Sequence, residues 1–120
     1  MENCIFCKII NNDIPSYKIY EDDIVLAFLD VFPKSIGHTL IVPKKHITDL
    51  NDIDSKTLNH IFEKAKELQK KYEKLGADGL SLMQNNGSAQ EVKHFHLHLI
   101  PKYKKEQKNI SIEEIHTRLT

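Results

Sequence analysis

Arginine is almost absent from this chain. Arg118 stands alone among 17 basic residues, and the other 16 are lysines. A protein with one guanidinium cannot grip phosphate with a cluster of bidentate arginine forks. Neither sign of charge is in excess, because the 17 basic residues meet 17 acidic ones. With no net field to attract a polyanion, the composition argues against a general nucleic-acid or membrane-surface binder. Long apolar runs are missing as well. The longest, Ile24 to Leu29, is far short of the roughly 20 residues that cross a bilayer. The opening stretch MENCIFCK has no apolar signal region, which predicts a cytoplasmic protein. In a reducing compartment its two cysteines do not predict a disulfide.

What remains is enough for one domain. A chain of 120 residues with 40% hydrophobic content can bury a core without staples. Seven of its residues are histidines, and three of these fall within five positions. Cys4 to Ile10 reads as a short turn or helix. Tyr17 to Glu21 and Ile24 to Asp30 read as two strands around the Asp22-Asp23 turn. His38 to Val42 is a β-branched strand stopped by Pro43. One long helix starts at Asp54 or Ser55, with Leu58, Ile61, Phe62, Ala65, Leu68, Tyr72 and Leu75 on its apolar face, and Gly76 stops it. Gly79 to Gln84 and His94 to Ile100 complete the strands, the last ended by Pro101. Beyond it lies a basic tail, and Ser111 and Glu114 form a capping-box pattern for a short last helix. The expected fold is α+β: a mainly antiparallel sheet with one long helix and a short C-terminal helix.

His94-Phe95-His96-Leu97-His98-Leu99-Ile100 alternates with period two. In a strand its three imidazoles share one face, while Phe95, Leu97 and Leu99 point into a core. Each imidazole has two ring nitrogens that need partners, so three of them make poor core material. Three readings follow: an exposed face on an edge strand, a catalytic metal site, or a nucleophile with supporting donors. Cys4-Ile5-Phe6-Cys7 has the spacing with which two thiolates reach one zinc, or it is simply a pair of small buried residues. His46 and one histidine of the trio could complete a tetrahedral set. His60 and His116 lie on helices away from any motif and read as solvated.

HFHLHLI resembles the signature of the histidine-triad (HIT) family. CIFCKII, Ile14-Pro15, YEDD before AFLD, and GHTLIVPKKHI resemble the same family's Hint-like branch in its bacterial form. The likeness runs from about residue 3 to residue 101, so it implies a HIT domain over 1–101 with a basic tail and short helix over 102–120. It implies a nucleotide hydrolase or transferase that cleaves nucleoside 5′-phosphoramidates, with purine nucleoside monophosphates as products. His96 would be the nucleophile that forms a covalent nucleotidyl-histidine. His98 and His38 would line the α-phosphate, Asp30 would hold the ribose hydroxyls, and Asn85 would lie near the phosphate. Phe6, Ile14, Phe28 and Val31 would wall the nucleoside pocket, and the loop at Gln90 and Val92 would offer backbone N–H groups to phosphate. A structural zinc would fall to Cys4, Cys7, His46 and His94, and the protein would be a homodimer. Dinucleoside polyphosphate hydrolysis, and a zinc-stabilised nucleotide-binding or interaction module with little turnover, are the alternatives. One departure stands out. The loop from Asn86 to Lys93 is about two residues shorter than in the family pattern, and Glu91 stands where many Hint-like members have serine.

Overall fold

The computed structural model describes residues 3–120. Helix α1 (Ile5–Ile10) is followed by β1 (Lys18–Glu21), β2 (Val25–Leu29) and β3 (Thr39–Pro43). Then come the long helix α2 (Ser55–Lys74), β4 (Gly79–Gln84), one 3-10 turn at Gly87–Ala89, β5 (Leu97–Lys102) and α3 (Ile112–Leu119). The five strands form one sheet in the order β1-β2-β3-β5-β4, with every neighbouring pair antiparallel. The expected α+β class and its antiparallel sheet are present.

The sheet is buried on both faces at its centre. Along β2, Val25, Ala27 and Leu29 enter the main core beneath α2, while Leu26 and Phe28 enter a second cluster on the opposite face. The period-two alternation of a strand puts successive residues on opposite faces, so two covered faces require an unbroken apolar run. The second cluster is roofed by α1, which contributes Phe6, Cys7 and Ile9. That roof brings both cysteines to the face that carries the histidines.

Asp54 caps α2 by accepting the Thr57 amide at 3.0 Å. Ile61, Ala65, Leu68 and Tyr72 form its buried stripe, and Leu75 follows as the cap residue. Phe62, expected on that stripe, is instead 41% exposed. It lies one residue, and so about 100°, round the helix from the fully buried Ile61. Gly76 takes a left-handed φ of 97°, as the stop requires. Ser111 caps α3 through the Glu114 amide, and α3 delivers Ile115 and Leu119 to the main core.

Two boundaries near the histidine trio differ from the sequence expectation. The regular ladder of β5 begins at Leu97, so His94 and His96 lie in the extended lead-in. There the backbone pairs with the loop after β3: the Phe95 amide donates to the Ile47 carbonyl. At its other end β5 passes through Pro101 to Lys102. Pairing with β3 has ended by Leu99, so the missing proline N–H breaks no bond on that side. Two further histidines correct the sequence reading, since neither is simply solvated. His60 is half-buried with Nε2 2.6 Å from Asp22 Oδ2, and His116 Nε2 donates to the Lys18 carbonyl at 2.8 Å.

Candidate functional site

The lead-in to β5 gives each histidine of the trio a different partner. His94 is fully buried, and its Nε2–H donates to the Pro43 carbonyl at 2.8 Å. A carbonyl can only accept, so the neutral ring keeps its lone pair on Nδ1. That nitrogen lies 3.3 Å from Cys4 Sγ and 3.5 Å from Cys7 Sγ. His46 Nδ1 lies 3.3 Å from Cys7 Sγ. One donor atom from each of these four residues falls within 4.8 Å of the others. Burial is the chief force that holds His94 neutral, lowering its pKa to about 4, and it raises that of the Cys7 thiol. Two buried thiols facing two imidazoles, one with its lone pair fixed inward, fit a tetrahedral thiolate–imidazole metal ion such as zinc.

His96 is oriented the other way. Its Nδ1–H donates to the His94 carbonyl at 2.8 Å, which leaves the lone pair on Nε2. The ring stands edge-on to Phe6, with centroids 5.0 Å apart, and Phe6 stands edge-on to Phe28 at 5.7 Å. Ile14 and Val92 pack against the same cluster. Three of the four side chains expected as nucleoside walls, Phe6, Ile14 and Phe28, are thus gathered with the middle histidine. Val31, the fourth, is 61% exposed on the loop after β2.

His98, on β5, and His38, just before β3, form the third part. His38 Nε2 and His98 Nδ1 are 3.0 Å apart, and the His98 and His96 ring centroids are 5.0 Å apart. Asp30 Oδ2 lies 3.6 Å from His38 Nε2, while Asp30 Oδ1 accepts the Phe32 amide at 2.8 Å. The carboxylate therefore caps its loop and still faces the histidines. Burial dominates here too: it lowers the His38 pKa, and it lowers that of His98 to about 4, helped by the neighbouring imidazoles. Asp30, His38 and His98 also place three donor atoms close together. They do not fit a metal, however. His38 Nδ1 accepts the Lys34 amide at 3.0 Å, so its neutral ring carries the proton on Nε2 and offers no lone pair there.

The remaining expected residues are more peripheral. Asn85 is half-buried just past β4, and its carbonyl accepts from Gln84 Nε2. Gln90 is buried, with Nε2 donating to the Thr48 carbonyl at 2.7 Å and Oε1 without a partner. Glu91 is exposed and lines, with Cys4, Ile5, His46, Val92 and Lys93, a cavity of about 410 Å³ beside the thiol–imidazole group. A second cavity of about 310 Å³ touches Asp30, Val31 and His38 and is closed by Ile112 and Ile115 of the last helix. The groups that sequence reasoning missed are backbone ones: the Pro43 and His94 carbonyls and the Lys34 amide. No side-chain identity announces them.

The arrangement offers an imidazole whose Nδ1–H is held by a carbonyl, two flanking imidazoles kept neutral by burial, a carboxylate and an apolar wall. That set can attack an electrophile and can hydrogen-bond an anion and a diol. The HIT domain family model matches residues 11–105. An uncharacterised HIT-like protein of Methanocaldococcus jannaschii is 43% identical, with 93% of this chain and 95% of that protein covered. Adenosine 5′-monophosphoramidase of Saccharomyces cerevisiae is 46% identical over 82% of this chain and 62% of its own length. A zinc-bound histidine triad family protein of Mycobacterium smegmatis superposes with a TM-score of 0.90 at 33% identity, covering 98% of this chain and 91% of its own. With the motif, the fold and the geometry in agreement, the chain belongs to the histidine-triad (HIT) family.

Proposed function

We propose that this protein hydrolyses nucleoside 5′-phosphoramidates through a nucleotidyl intermediate on His96. One observation carries the reading: the His94 carbonyl accepts a hydrogen bond from His96 Nδ1–H, which leaves Nε2 as the nitrogen with the lone pair in the neutral ring. Nε2 attacks the α-phosphorus, the P–N bond breaks, and the leaving amine takes up a proton. Water then attacks the same phosphorus, the P–Nε2 bond breaks, and a nucleoside monophosphate and the free imidazole are regenerated. The covalent stage splits one difficult displacement into two easier ones. His98 hydrogen-bonds the phosphate oxygens with His38 behind it as its donor, and backbone N–H groups near Gln90 and Val92 add to it. Asp30 accepts the ribose hydroxyls, and Phe6, Ile14, Phe28 and Val31 bracket a purine, with Asn85 near the phosphate.

Zinc held by Cys4, Cys7, His46 and His94 would be structural, since four protein ligands leave no position for water. It would tie α1, and with it Phe6, to the backbone that orients His96. A small amine suits this site better than a polyphosphate chain. The sole guanidinium, Arg118, is engaged with Glu114 at 3.3 Å on the exposed face of α3. We also propose a homodimer joined through the outer edge of β4, which is the last strand of the sheet and leaves Leu82 46% exposed. The zinc-bound relative supports the zinc reading, and the phosphoramidase relative supports the choice of substrate.

The test is turnover of adenosine 5′-phosphoramidate by pure protein, with rapid-quench mass spectrometry for the adduct. Addition of one nucleoside monophosphate to the peptide that contains His96 is expected. Turnover that survives in His96→Ala would overturn the mechanism.

A further inference from the structure

The amide of Lys34 is not part of any regular element, yet it has a well-defined partner. It donates to Nδ1 of His38 at 3.0 Å, and His38 is only 2% exposed. A backbone N–H is a donor in every state of the molecule, so this nitrogen of His38 must accept. A neutral His38 then carries its proton on Nε2. That proton faces His98 Nδ1 at 3.0 Å, with Asp30 Oδ2 on its flank at 3.6 Å. His98 Nδ1 therefore accepts in its turn, and the proton of the neutral His98 ring must sit on Nε2. The direction of two imidazoles thus follows from one main-chain hydrogen.

We propose that the Lys34 backbone N–H is a positioning group for the catalytic histidines, fixing His38 as an Nε2–H donor and, through it, His98 as an Nε2–H donor to the substrate. The inference rests on the reading of His98 as a group that touches the phosphate or leaving group. The chemistry favours the arrangement. An anionic phosphate wants donors around it, and a neutral imidazole with the wrong tautomer would present a lone pair instead. Water cannot take over the task, because the His38 ring is buried and the amide reaches it directly. The side chain of Lys34 is exposed and has no part in this bond.

Two measurements test it. Long-range proton–nitrogen NMR of the wild-type protein without nucleotide, assigned through single His→Gln variants, reports the tautomer of each ring. His38 and His98 are expected with an unprotonated Nδ1 and a protonated Nε2. A proton on His38 Nδ1 overturns the proposal, whatever the activity. The second measurement compares Lys34→Pro, which removes the N–H, with Lys34→Ala, which keeps it and serves as the baseline for losing the charge. Relative to Lys34→Ala, Lys34→Pro is expected to show mixed His38 tautomers and a kcat roughly tenfold lower, with KM changed by less than about threefold, the scale of one hydrogen bond acting in the transition state. Identical tautomers and kcat in the two variants overturn it. If Lys34→Pro does not fold, the wild-type spectrum still decides. If no phosphoramidate is turned over, the functional reading fails while the tautomer assignment stands or falls on its own.

Discussion

Substituting the first and second histidines of the trio separates scaffold from chemistry. In His94→Ala a fully buried ring is removed from between Phe6, at 5.9 Å between centroids, and His46, at 4.9 Å. The loss of an aromatic side chain from such a position costs about 3 kcal/mol. The Pro43 carbonyl is left without its donor, which adds about 1 kcal/mol. The expected destabilisation is therefore roughly 4 kcal/mol in metal-free protein, a large share of a domain's ~5–15 kcal/mol. It is larger still in protein saturated with zinc, because binding free energy is lost with the ligand. The His94 carbonyl survives the substitution, so any folded fraction keeps the acceptor for His96.

His96→Ala acts on a different link. The ring is 4% exposed and stands against Phe6, and its bond to the protein is made through Nδ1. About 1–2 kcal/mol of stability is expected to be lost, most of it the Nδ1–H bond to the His94 carbonyl and the packing on Phe6. Turnover is expected to vanish, while nucleoside monophosphate affinity changes by less than about tenfold, since the walls and Asp30 remain. The assays are urea unfolding with and without a chelator, calorimetric titration with adenosine monophosphate, and phosphoramidate turnover. Equal stabilities, equal zinc content and equal inactivity in the two variants would refute the division of roles. A metal site built on the three histidines would then account for the strand better.

Elemental analysis of protein purified without chelator is expected to find about one zinc per chain, and Cys7→Ser is expected to lose it; metal-free protein with unchanged melting would remove the site. The folded pKa of His98, about 4, lies below its ordinary 6.5, so the unfolded state binds more protons between those values and stability falls as pH drops through that window. For a half-buried ring the effect is about 2 kcal/mol, and it should be missing from the pH dependence of His98→Gln unfolding. Asp22 behaves with the same sign at lower pH: burial alone would raise its carboxyl, but bonds from His60, the Val25 and Ile24 amides and the Tyr20 hydroxyl outweigh burial and hold it low. Asp22→Asn is expected to cost about 1–3 kcal/mol by denaturant titration near neutral pH. Replacing Glu91 with serine is expected to raise the ratio of dinucleoside polyphosphate to phosphoramidate kcat/KM by roughly fivefold, the scale of one exposed charge; an unchanged ratio would show that the carboxylate does not face the leaving group.

The parts of this fold that are legible in sequence are those written in side-chain periodicity. The apolar stripe of α2 apart from Phe62, its Asp54 cap and the Phe95, Leu97 and Leu99 face follow from spacing and are found buried or bonded as expected. Where spacing is ambiguous, the reading slips. Phe62 neighbours Ile61, and hydrophobicity alone cannot say which of two adjacent residues lies on the stripe. The His–apolar alternation predicts a strand from His94, but the ladder of β5 begins only at Leu97. Pairing of β3 with β5 ends at Ile41 opposite Leu97, and the Phe95 amide finds its acceptor beyond β3, at the Ile47 carbonyl. The pairing of His60 with Asp22 spans 38 positions and connects α2 to the β1–β2 turn, a contact that no local pattern encodes.

The site itself divides along the same line. Which residues gather was legible: the two cysteines, His46 and His94 form one group, and His38, His98 and Asp30 form another. What each imidazole can do was not, because that depends on the nitrogen that holds its proton, and the main chain decides it in three places. The Pro43 carbonyl turns the lone pair of His94 toward sulfur, the His94 carbonyl frees Nε2 of His96, and the Lys34 amide turns His38 into a donor. In the proposed reaction His94, His96 and, through His38, His98 are thereby set apart as ligand, nucleophile and donor. A β3 that ends at Pro43, and a loop that brings residue 34 back to residue 38, are therefore as necessary to the proposed reaction as the histidines. Shifting the lead-in by two residues would keep every imidazole on the same face and still exchange their partners. In the proposed mechanism the backbone register there, rather than the identity of the trio, sets which histidine attacks.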